Sequence, residues 1–95
     1  MSKEEVVQRG YRITGRVQGV FFRVWTRDTA QGMGLDGTVK NRPDGSVEAH
    51  VVGQAAVVEE FQAGLWEGPP ASRVDNVEVI GSEEDLESGV FEILY

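Results

Sequence analysis

Along residues 11–17 apolar and polar side chains alternate, with Tyr11, Ile13 and Val17 on one side and Arg12, Thr14 and Arg16 on the other. A period of two marks a strand with one buried face. Past Gln18-Gly19 the period lengthens, and Phe22, Thr26, Thr29, Ala30 and Met33 fall on one side at helical spacing, with Trp25 at the margin. This helix is expected to stop at Gly32 or Gly34, where a left-handed cap costs glycine nothing. Alternation then returns. Leu35, Gly37, Val39 and Asn41 share one face of a second strand, opposite Asp36, Thr38 and Lys40. Arg42-Pro43-Asp44-Gly45 has turn chemistry, since Pro presets φ and Gly accepts the left-handed region. A third strand over residues 46–52 points Val47, Ala49 and Val51 inward, making a hairpin with the second. Helical spacing resumes over residues 54–66 with Val57, Val58, Phe61 and Leu65 on one face, and Gly68-Pro69-Pro70 ends it. Residues 73–80 read as a fourth strand with Val77 and Val79 inward, residues 81–89 as an acidic solvated loop, and residues 90–95 as a short fifth strand.

The order βαββαβ plus one strand predicts an α+β fold of the ferredoxin-like kind, a βαββαβ sandwich in which two helices cover one face of an antiparallel sheet. The other face is then open and polar, and His50 on it reads as a surface residue. With 95 residues the chain suffices for one core and not two. Residues 10–95 form that single domain, and residues 1–9 are expected to be a mobile extension. Such a fold hosts many functions and decides none.

Composition narrows the chemistry. Without cysteine there is no thiol nucleophile, disulfide or Cys-type metal site, and the single histidine makes no metal site without carboxylate help. No stretch approaches the ~18–20 apolar residues of a membrane span. A cysteine-free chain suits a reducing compartment, so a cytoplasmic protein is expected. Charge is uneven: residues 1–42 sum to +4 and residues 43–95 to −11. A net charge of −7 repels nucleic acid and anionic lipid at long range, yet permits a local cationic site for a small anion.

Such a site has a place in the chain. The segment Gly15-Arg16-Val17-Gln18-Gly19-Val20-Phe21-Phe22-Arg23 joins a strand to a helix through a tight turn. Turns of this kind aim backbone N–H groups into one concavity at a helix N-terminus, a nest for phosphate or carboxylate. Arg23, in the first helical turn, opposes the helix dipole unless an anion is bound; a solvated helix arginine is the plainer reading. Asn41, at the end of an inward-facing row, has donors and an acceptor with which to hold a water, although Asn beside Pro and Gly also serves turns.

These two segments resemble the signatures of the acylphosphatase family. Ile13-Thr14-Gly15-Arg16-Val17-Gln18-Gly19-Val20-Phe21-Phe22-Arg23 matches the first throughout. Gly37-Thr38-Val39-Lys40-Asn41-Arg42-Pro43-Asp44-Gly45-Ser46-Val47, with Gly53 downstream, matches the second except at Thr38, where an aromatic is usual. The similarity spans about residues 10–95. It implies a small monomeric hydrolase, without metal or cofactor, that cleaves the carboxyl–phosphate bond of acyl phosphates. Arg23 would bind the phosphoryl group with the backbone of the loop formed by Arg16, Val17, Gln18, Gly19, Val20, Phe21 and Phe22. Asn41 would orient the attacking water. Thr38, alternating with the Val39 and Asn41 face, is expected to affect packing or substrate preference and not the reaction.

Two rivals differ in class. Ferredoxin-like sheets also bind RNA through aromatics on the open face, but Arg12, Thr14, Arg16, Ser46, Glu48 and His50 occupy those positions here. A non-catalytic or carbamoyl-phosphate-binding acylphosphatase-like module is the second, and the short chain with no transferase attached speaks against it.

Overall fold

A computed structural model describes residues 5–95. Its elements are β1 (Val6–Arg16), α1 (Phe22–Gly32), β2 (Asp36–Asn41), β3 (Val47–Gln54), α2 (Ala55–Leu65), β4 (Arg73–Ile80) and β5 (Phe91–Leu94). The five strands form one sheet in the order β4-β1-β3-β2-β5. β1 pairs antiparallel with β3 and β4, and β2 with β3, as a split βαβ arrangement requires. β5 runs parallel to β2, so the sheet is mixed and not the purely antiparallel one expected. The hydrophobic period reports which face a strand buries and carries no information about its direction, which is why β5 was legible as a strand only.

Both helices lie on one face. Tyr11, Ile13, Val39, Val47, Ala49 and Val51 project from the sheet and meet Phe22 and Ala30 of α1 and Val58, Phe61 and Leu65 of α2, all buried. Each large apolar side chain so enclosed contributes roughly 1.5–3 kcal/mol relative to exposure. α1 ends as its glycines predict, with Gly34 at φ 74° just beyond Met33. Val79 shares the helix-facing side with Val77 but, on edge strand β4, remains half exposed.

Two expectations need correction. β1 begins at Val6, with Val6, Val7, Gln8 and Arg9 opposite Gln54, Gly53, Val52 and Val51, so residues 6–9 are strand and not a mobile extension. Backbone pairing with the end of β3 extends the strand past the region where side chains alternate. Residues 1–4 lie outside the described part. The second correction concerns the far face, which is not open: His50 is 4% exposed and Glu48 6%. Ser82, in the loop between β4 and β5, meets His50, and the Gln8 side-chain amide donates to Ser82 Oγ and to the Glu84 carbonyl. Gly10, opposite His50 in the register, makes room for the ring, since a Cβ there would lie 3.0 Å from its Cε1. His50 is therefore an interior residue. Thr38, the departure from the second signature, lies opposite His50 on β3 and Glu92 on β5. Among the described residues no helix is long and apolar enough to cross a membrane.

Candidate active site

The strand-to-helix turn of residues 17–21 forms the site's floor. β1 can reach it because Gly15, at φ 125°, lets β4 close in at a bulge; a Cβ on Gly15 would lie 2.1 Å from the Arg73 carbonyl oxygen. Gly19 and Phe21 both adopt positive φ, at 75° and 64°. For a bulky aromatic such a backbone is unfavourable by about 1–2 kcal/mol. It places Phe21, 82% exposed, at the N-cap of α1 with no side-chain cap on the helix. The first amides of α1 thus keep their donors for an outside acceptor, and no acidic residue sits in the first turn to compete for them.

Above this turn opens a cleft of about 340 Å3. Val17, Gly19 and Phe21 line it from the turn, Phe22, Arg23 and Val24 from the first turn of α1, and Asn41 from the end of β2. Arg23 and Asn41, contributed by different elements, therefore face one space. Arg16, Gln18 and Val20 are not brought into the lining: Arg16 is exposed, Val20 is buried in the core, and Gln18 turns elsewhere. Its Nε2 donates to the Arg42 carbonyl at 2.8 Å and the Ser46 carbonyl at 2.9 Å, clamping the turn to the hairpin whose first strand ends in Asn41.

Sequence reading missed the third wall. Ile93 and Tyr95 line the cleft, and the Arg23 guanidinium carbon lies 4.9 Å from the centre of the Tyr95 ring. Such a cation–π contact holds the guanidinium without consuming its hydrogen-bond donors. The alternation Phe91, Ile93, Tyr95 was a usable signal, but only the pairing of β5 with β2 brings that face to the cleft.

The hairpin behind Asn41 is tightly organised. Asp44 accepts from the Ser46 hydroxyl and backbone N–H and from Arg12 Nη2, and these bonds, Ser46 foremost, hold its carboxyl far below the usual carboxylate range. Burial pushes the Glu48 carboxyl up, but hydrogen bonds from His50 and Arg42 outweigh it and leave Glu48 below its ordinary value. Glu48, His50 and Glu84 approach within 4.8 Å of one another through their ligand atoms, and none of them lines the cleft.

The cleft can grip a compact anion between turn amides and Arg23 while Asn41 faces the same point. Comparison with known proteins agrees in kind. The family model described as Acylphosphatase matches residues 9–93. A protein of Rhizorhabdus wittichii named Acylphosphatase is 52% identical over 73 residues, covering 77% of this chain and 74% of its own. One of the same name from Chromohalobacter salexigens is 48% identical over 81 residues, covering 85% and 89%. Among solved structures, an acylphosphatase from Bacillus subtilis superposes with a TM-score of 0.84 at 34% identity, covering 96% of this chain and all of that one.

Proposed function

The chain belongs to the acylphosphatase family and hydrolyses acyl phosphates, and we propose that Arg23 and the turn of residues 16–22 bind the phosphoryl group while Asn41 orients the attacking water. The observation that supports these roles is the convergence of Gly19, Arg23 and Asn41 on one cleft.

The chemistry asks for little more. The leaving carboxylate has a conjugate acid of pKa about 4, so it departs as an anion at neutral pH without a general acid. In a loose, metaphosphate-like transition state the water has formed little bond, and catalysis reduces to placing it in line and stabilising the equatorial oxygens. Arg23 is permanently charged and forked, able to make two parallel bonds where lysine makes a point contact. Turn amides and the α1 N-terminus add fixed dipoles aimed at the same oxygens. The Asn41 carboxamide oxygen can accept a hydrogen bond from the water and leave a water lone pair directed at phosphorus. The substrate phosphate is the proposed acceptor of the proton, as no His, Asp or Glu side chain among the described residues lines the cleft.

On this reading the enzyme works as a monomer on a small-molecule acyl phosphate in the cytoplasm. A non-catalytic or carbamoyl-phosphate-binding role would need a cleft that grips phosphate without presenting a residue to water, and Asn41 argues against it. Titration with inorganic phosphate, followed by backbone amide shifts, tests the assignment. Amides of Gly19 and Arg23 should move in the wild type and stay still in Arg23→Gln; shifts confined to other regions would remove the cradle from the mechanism.

A further inference from the structure

The far face of the sheet holds a chain of hydrogen bonds that the cleft does not use. His50 Nδ1 lies 2.7 Å from Ser82 Oγ, and His50 Nε2 lies 2.5 Å from Glu48 Oε2. Arg42 Nη1 donates to the other Glu48 oxygen, and Gln8 Nε2 donates to Ser82 Oγ at 3.0 Å. We propose that Ser82, His50 and Glu48 form a second reactive centre, in which Ser82 Oγ is an acyl acceptor for activated carboxylic esters.

The directions of these bonds agree from end to end. An ionised Glu48 only accepts, so His50 Nε2 carries a proton toward it. Nδ1 of the neutral ring is then an acceptor, and the Ser82 hydroxyl donates to it, while its oxygen takes the Gln8 donation. This tautomer is assigned from the network, with the ring taken as neutral. A hydroxyl donating to an imidazole whose far nitrogen is held by a carboxylate is the arrangement that activates serine nucleophiles. Burial is graded in the useful direction: the base and its carboxylate are enclosed, and Ser82 lies at the boundary with solvent.

A metal ion is the competing use of this cluster, since Glu84 adds a third ligand type within reach. Both imidazole nitrogens are already engaged, however, and the Glu48 carboxylate is already neutralised by Arg42. A cation would have to break two hydrogen bonds and displace a guanidinium, whereas nucleophilic attack uses the bonds as they stand.

The step balances without a further reagent. Ser82 Oγ bonds to the carbonyl carbon of an active ester as His50 Nδ1 takes the hydroxyl proton. The bond from carbon to the leaving oxygen then breaks, and the aryloxide departs. Glu48 balances the transient imidazolium. The product is an ester on Ser82, with the proton passing to solvent.

Incubating the full chain with p-nitrophenyl acetate tests this, with nitrophenolate release followed in time and the acetylated residue located by peptide mass spectrometry. Ser82 should carry the acetyl group. Ser82→Ala should lose it while keeping acyl phosphate hydrolysis, and Arg23→Gln should keep it while losing hydrolysis, so the two centres fail separately. His50→Asn should slow acetylation at Ser82 by about 10²-fold or more. Acetylation confined to Lys40 and other amines in the wild type, or an unchanged Ser82 rate in a folded His50→Asn, overturns the proposal. Should His50→Asn not fold by circular dichroism, Glu48→Gln replaces it with the same expected direction, and the wild-type labelling site decides by itself.

Discussion

The side-chain amide of Gln18 donates to the backbone carbonyl of Arg42 at 2.8 Å, one residue beyond Asn41. A second bond to the Ser46 carbonyl makes this a two-point clamp between the turn before α1 and the hairpin that presents Asn41. Both halves of the site are thereby held in one frame, although Gln18 lines no part of the cleft. Gln18→Ala should lower kcat by about 10-fold or more through misplacement, since errors near 1 Å in catalytic geometry can cost ~10²-fold. Phosphate affinity should change less. Steady-state kinetics with an unaltered circular dichroism spectrum check this; wild-type kcat would show the clamp to be structural only.

Arg23→Gln should remove nearly all acyl phosphate hydrolysis with the fold intact. Loss of one preorganised charge-stabilising donor costs about 10²–10³ in rate, and this one is a full charge. Arg23→Lys should not restore activity, because an ammonium lacks the planar fork and the stacking on Tyr95. Turnover near wild type in either variant would contradict the assigned role.

Asn41→Ala should depress kcat by a similar factor yet leave inorganic phosphate binding within a few-fold of wild type. The asparagine is assigned to the water and Arg23 to the phosphoryl oxygens, so the two variants separate binding from turnover. Equal loss of phosphate affinity in Asn41→Ala would place the carboxamide on the anion instead.

Acid should destabilise the protein through Glu48. Its folded-state pKa lies below the ordinary 4.5 because hydrogen bonds from His50 and Arg42 overcome the effect of burial. A depressed carboxyl adds stability that is complete above its unfolded pKa and is lost as pH falls through the folded value. Asp44, depressed by Ser46 and Arg12, acts in the same direction. Denaturant midpoints should therefore fall below about pH 5, and Glu48→Gln should flatten that slope while lowering stability at neutral pH. A slope unchanged in this variant would assign the acid sensitivity to other carboxyls.

Gly15→Ala should destabilise the fold by at least about 1–3 kcal/mol. The new Cβ would meet the Arg73 carbonyl at 2.1 Å with a backbone at φ 125°, so either the bulge or the β1–β4 pairing must shift. Thermal denaturation measures the loss, and a melting temperature unchanged from wild type would show that the bulge adapts.

Local periodicity carried most of the architecture because each helix and strand buries one side. α2 and β4 fall close to where the residue pattern sets them, and a tight turn with Gly19 at positive φ leads into α1 as its composition suggests. Arg23 and Asn41 were legible as candidates because their types suit an anion and a water, and the structure brings both to one cleft. What escaped depends on contacts distant in sequence. His50 is enclosed through Ser82, 32 residues away, and Gln8 meets Glu84 across a separation of 76. No alternation within β3 encodes a covering loop so remote. The start of β1 was hidden likewise, since Val6 is exposed and owes its place to backbone pairing with Gln54.

The wall of the cleft opposite the turn is carried by a four-residue edge strand and the tyrosine that follows it, held to the sheet along β2 alone. Fraying of that edge would keep the guanidinium and the carboxamide in place but leave them on an unwalled surface. Turnover thereby becomes a report on whether the rim of the sheet is closed.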